Sequence, residues 1–106
     1  MKINVSPNAQ NDVIEINRYI KRKLGNPIAA TSITNKIKER IERIAKFPRY
    51  GVPVGPLLGI ETNYRFVVCK NYKIFYRIEW DDIYVDRVLH DKQDYMKLLF
   101  GKKRHS

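Results

Sequence analysis

The chain has 106 residues, 43% of them hydrophobic and 11% aromatic, enough apolar side chain for one compact core and too short for two. Twenty-one Lys and Arg against eleven Asp and Glu leave a net charge of +10 and a pI near 9.9, which suits a polyanion or an acidic protein partner. The single cysteine, Cys69, excludes an internal disulfide, and charges or amides interrupt every apolar run well short of the roughly eighteen residues of a membrane span. The opening MKINVSPN lacks the apolar centre of a signal peptide, so a cytoplasmic protein without membrane association is expected.

Lys2 to Val5 alternate polar and apolar, a short strand that stops at Ser6-Pro7. Serine as N-cap followed by proline at the first helical position announces a helix. Ala9, Val13, Ile16, Ile20 and Leu24 then recur at spacings of three and four, forming one apolar stripe. Gly25-Asn26-Pro27 repeats the punctuation and starts a second helix with its own stripe of Ala30, Ile33, Ile37, Ile41 and Ile44. The pair reads as an αα-hairpin, ended by Pro48. From Phe47 to Glu61 the density of Pro and Gly favours an irregular surface loop.

Three strand-like runs follow, Tyr64 to Lys70, Tyr72 to Trp80 and Ile83 to His90, joined by Asn71 and by Asp81-Asp82. Connections this short predict an antiparallel meander. In the middle run Ile74, Tyr76, Ile78 and Trp80 share one face, expected to pack on the helices, while Lys73, Phe75, Arg77 and Glu79 share the other, expected to meet solvent. The alternation breaks at Asp86-Arg87-Val88-Leu89, where a bulge is expected. Asp91 to Phe100 suits a short terminal helix, and residues 102–106 a basic flexible tail following one domain over 1–101. The fold class is therefore α+β: an N-terminal strand, an αα-hairpin packed on an antiparallel sheet, and a short C-terminal helix.

Between Thr62 and Ile78 there is no acidic residue, yet Arg65, Lys70, Lys73 and Arg77 alternate with Tyr64, Phe66, Tyr72, Phe75 and Tyr76. Cations that offset phosphate charge beside rings that stack on bases fit a nucleic-acid surface; cations on a sheet also keep its edges from aggregating. His90 stands next to Asp91, Lys92 and Asp94. A histidine there suits acid–base work in RNA cleavage, with Lys92 stabilising phosphate charge, though position alone favours a strand-capping hydrogen bond. No Cys/His cluster has metal-ligand spacing and no glycine loop fits a nucleotide, so neither metal nor cofactor is expected.

Three segments, RIAKFPRYGVPV (43–54), YRFVVCKNYKIFYRI (64–78) and RVLHDKQDYMKLLF (87–100), occur in one register. Together with the order strand, helical hairpin, meander they make the chain resemble the RelE/ParE toxin superfamily over about residues 2 to 100. The resemblance implies a growth-inhibiting toxin of a bacterial type II toxin–antitoxin module, bound in a hetero-oligomer by a cognate acidic antitoxin. It implies one of two mechanisms, cleavage of mRNA on the ribosome or inhibition of DNA gyrase; a non-toxic RNA-binding module is the further alternative. For cleavage, Lys73 and Lys92 look like the residues at two of the family's catalytic positions, with His90 as their companion, and Arg65, Lys70, Arg77 and Tyr95 as target contacts. Lysine where the ribonucleases carry arginine loses the planar fork that grips phosphate, and the ending from His90 to Phe100 is more similar to the gyrase-directed branch.

Overall fold

The computed structural model describes residues 1–101. Strand β1 (Ile3–Val5) leads into helix α1 (Pro7–Arg22) through Ser6, whose Oγ accepts from Ala9 N at 3.0 Å and donates to Asp86 O at 2.8 Å. One hydroxyl thus caps the helix and fixes it to the far end of the chain. Gly25 takes φ +59°, closing α1 with a bond from Asn26 N to Ile20 O. The Asn26 side chain then accepts from Ala29 N and starts α2 (Pro27–Lys46). Ala9, Ile20, Ala30, Ile37 and Ile44 are buried, as both stripes require. Leu24 is the exception: it lies past the end of α1 and is 61% exposed, because the stripe it continues no longer has a helix to carry it.

The sheet has five strands in the order β1-β5-β4-β3-β2. Strands β3 (Tyr64–Cys69), β4 (Tyr72–Glu79) and β5 (Asp82–His90) form the expected meander, and β1 joins β5 in parallel. The stretch from Phe47 to Glu61 is not wholly irregular. It contains β2 (Val52–Pro53), antiparallel to β3, and the short helix α3 (Val54–Leu58). Proline is tolerated in β2 because an edge strand pairs on one side only.

Cys69 pairs with Tyr72 and Glu79 with Asp82, so the turns are Lys70-Asn71 and Trp80-Asp81 rather than Asn71 and Asp81-Asp82. Lys70 and Trp80 both have positive φ, 56° and 57°. Trp80 therefore leaves the inward row it was expected to continue and stands 96% exposed at the hairpin tip.

Between the pairs Phe75↔Arg87 and Tyr76↔Val85 the β4–β5 register slips by one, making Asp86 the extra residue of the expected bulge. Tyr72, Ile74 and Tyr76 face the helices in the main core. The other face is not solvent-facing throughout: Val54, Phe75 and Leu89 form a second buried core. It is covered by α3 and by helix α4 (Tyr95–Phe100), whose Tyr95 stacks on Phe75 at 5.3 Å and whose Phe100 meets Tyr64 edge-on. That helix is shorter than Asp91 to Phe100, because Asp94 caps it and His90 O accepts from Gln93 N in a preceding turn. The tail at 102–106 lies outside the described residues. Among the described residues no helix is long and apolar enough to cross a membrane.

Candidate functional site

A half-open cleft of about 710 Å³ lies on the helix side of the sheet. Its floor is apolar, with Ile16, Ile20 and Tyr72, and its rim holds Lys70, His90 and Lys92. The His90 ring meets Tyr72 edge-on at 5.3 Å, and its Nδ1 accepts from Lys92 N at 3.1 Å. This contact occupies Nδ1 as an acceptor and ties the end of β5 to the turn that follows it.

On the opposite face a smaller depression is lined by Phe66, Lys73, Asp91 and Tyr95. Lys73 Nζ donates to Asp91 Oδ1 at 3.1 Å and lies 5.8 Å from the centre of the Phe66 ring. Arg77 is engaged on three sides: Nε on Asp86 and Nη1 on Glu79, both at 2.8 Å, with its guanidinium 4.7 Å over Tyr84. The hydrogen bond to Asp86 is the main reason the guanidinium is held above its ordinary pKa, and Asn63 and Arg77 hold the Glu79 carboxyl below its own. Tyr64 donates its hydroxyl to the same Asp86 oxygen at 2.7 Å, and burial, then this bond, push its phenol up to about 12.

Arg65 faces the helices and donates to Arg49 O and Gly51 O, which fastens the segment after α2. Tyr76 completes the fastening, accepting from Gly51 N at 2.8 Å and donating to Pro48 O at 2.7 Å. The residues selected from the sequence therefore divide. Lys70, His90 and Lys92 share the helix-side cleft; Lys73 and Tyr95 share the depression behind it; Arg77 and Arg65 are committed to internal partners. Neither the cleft nor the depression is lined by His90, Lys92, Lys73 and Arg77 together.

The family model for the ParE toxin of the type II toxin–antitoxin system parDE matches residues 3–95. The chain belongs to the ParE toxin family. Among solved structures, a chain of the chromosomal ParDE TA system from P. aeruginosa is similar to it, with a TM-score of 0.71 and 15% sequence identity over 85% of this chain and 95% of that one. At that identity the likeness is one of fold: strand, helical hairpin, five-stranded sheet and terminal helix. No protein of curated function matches the chain in sequence.

Two residues that hold this ParE-family fold together were missed from the sequence. Asp12 binds Arg87 and Val88 across the helix–sheet boundary, and Asp86 gathers Tyr64 and Arg77. Asp12 had a readable signal, since a charge three residues after Ala9 and four before Ile16 interrupts the apolar stripe. Asp86 had only the break in alternation at the bulge.

Proposed function

We propose that this ParE-family toxin arrests growth by inhibiting DNA gyrase and that a cognate acidic antitoxin neutralises it. The observation that carries the mechanism is the division of the cleavage candidates between two faces of the sheet, with His90 Nδ1 occupied and Arg77 saturated by Asp86 and Glu79. General acid–base catalysis needs its groups within hydrogen-bond reach of one scissile phosphate. Inhibition of a large enzyme needs only a complementary surface, and the exposed basic residues supply one. The antitoxin reading is supported by the helix-side cleft, whose apolar floor suits hydrophobic anchors and whose Lys70 and Lys92 suit flanking carboxylates.

Gyrase supercoiling and ribosome-dependent mRNA cleavage, measured with the same purified protein, test the mechanism. Loss of supercoiling or trapped cleaved DNA is expected, with translation continuing early in growth arrest. Codon-phased mRNA cuts with unaffected gyrase would overturn it. Coexpression with the product of the neighbouring gene is expected to give a stable complex and restore growth; neither appearing would defeat the antitoxin reading.

A further inference from the structure

Helix α2 carries a line of cations apart from the apolar faces and the depression behind the sheet. Lys36, Arg40 and Arg43 follow one another at i, i+4 and i+7, a stripe about 10 Å long at 1.5 Å per residue. At its upper end it meets Lys70 from the β3–β4 turn, the residue at the boundary of the helix-side cleft. The two ammonium groups approach so closely that Lys70 holds the Lys36 amine below its ordinary value, first as a hydrogen-bonding neighbour and then as a like charge. At the lower end Arg43 lies 6.0 Å over the ring of Tyr50, which is 44% exposed.

These four cations differ from three that the fold pairs internally. Lys73, Arg77 and Arg87 each have a carboxylate at hydrogen-bond distance. Among the described residues Lys36, Arg40, Arg43 and Lys70 have none in ion-pair range, although Glu39 contributes a weaker favourable field at Lys36. Arg40 Nε is buried and has no hydrogen-bond partner. Like charges pressed together on a rigid helix and a tight turn oppose folding, and an external anion seated along them relieves the repulsion.

We propose that the ridge of Lys36, Arg40 and Arg43, with Lys70 at its head, binds the phosphate backbone of double-stranded DNA. Successive cations stand about 6 and 4.5 Å apart along the helix axis, close enough for them to meet the phosphates of one strand together. The ridge offers cations on a face apart from the buried Ile37 and Ile44, which suits a backbone met through its charge, whereas an acidic peptide is better served by the cleft, where apolar floor and cations occur together. The ridge does not depend on the choice between gyrase and mRNA as the toxin's target.

Fluorescence anisotropy with a short labelled duplex, repeated over a range of salt, tests this. Lys36→Ala/Arg43→Ala/Lys70→Ala is expected to weaken binding roughly ten-fold or more at low salt and to reduce the slope of log K against log salt by about 3, close to 0.9 per lost phosphate contact. Lys21→Ala/Arg22→Ala/Lys23→Ala removes equal charge from the end of α1 and is expected to leave the slope unchanged. Equal effects of the two triples would mean net charge alone and would overturn the proposal, as would a polyglutamate peptide displacing the duplex more effectively than pyrophosphate does. Amide shifts in the unmodified protein report independently of any variant's folding. Duplex-induced shifts concentrated at 36–43 and 70 are expected; shifts confined to the sheet's other face would refute the site.

Discussion

Asp12 and Arg87 are joined by two parallel hydrogen bonds, Nε to Oδ2 at 2.8 Å and Nη2 to Oδ1 at 2.9 Å, and Asp12 Oδ2 also accepts from Val88 N. The side chains are 13% and 20% exposed, so solvent screens the pair little. It fixes α1 to the strand at the point where the bulge has turned Arg87 towards the helix. Asp12→Ala is expected to cost about 2–4 kcal/mol, since it strands a half-buried guanidinium and a backbone N–H together. In denaturant unfolding, Asp12→Ala/Arg87→Ala should lose less than the sum of the single changes; strict additivity would show that the pair is not coupled.

Gly51 is irreplaceable for a spatial reason. A Cβ there would stand 2.6 Å from both Cε1 and the hydroxyl oxygen of Tyr76, a fully buried ring with no room to retreat. Gly51→Ala should destabilise by about 1–3 kcal/mol through overpacking. Tyr76→Phe should cost about 1–3 kcal/mol by a different route, leaving Gly51 N–H without its acceptor. Thermal melts of both variants check this, with an unchanged Tm for either counting against the clamp.

Stability should fall at alkaline pH in a way that depends on Tyr64. Its phenol is pushed from 10.0 to about 12 in the fold, so the folded state retains a proton that the unfolded chain releases. The contribution is complete below about pH 10 and is lost as pH rises towards 12. Unfolding free energies measured on either side of pH 10 should converge for Tyr64→Phe more than for the unaltered protein. An equal alkaline loss in both would place its origin elsewhere, with burial of Tyr72 and Tyr76 the remaining source.

Both hairpin tips hold a bulky residue in the left-handed region, Lys70 at φ 56° and Trp80 at φ 57°. For a residue with a Cβ that conformation costs roughly 1–2 kcal/mol, and glycine escapes the cost. Trp80 is 96% exposed and loses little packing on removal, so Trp80→Gly is expected to raise stability by about 0.5–1.5 kcal/mol. Chemical denaturation followed by circular dichroism checks this, since the substitution removes the only tryptophan; a loss of stability would imply a contact made by the ring.

Periodicity carried most of the architecture into the sequence. The helical stripes place Ile37 and Ile44 at zero exposure, and the broken alternation locates the bulge, because each pattern reflects a burial requirement. The second core was hidden, since Phe75 sits among Lys73, Arg77 and Glu79 and looks solvent-facing until α3 and α4 fold over it. The two-residue strand β2 is too short for any periodic signal. The candidate site was legible as residue types but not as an arrangement. His90 and Lys73 are close in the ladder yet point through opposite faces, and the partners that occupy Arg65 and Arg77 come from the segment after α2 and from the bulge.

The parallel pairing of β1 with β5 has a consequence in time. Eighty residues separate Ser6 from Asp86, yet Ser6 Oγ donates to Asp86 O and seats the first helix. At about 5–20 residues per second, a ribosome releases the N-terminal strand and begins the helical hairpin some 4–16 seconds before the strand that completes them. During that interval the stripe of Ile16, Ile20 and Ile37 has no sheet to cover it, and the clasp between Asp12 and Arg87 cannot close. Until β5 emerges, the nascent chain is an adhesive amphipathic hairpin, open to chaperones and to misassociation.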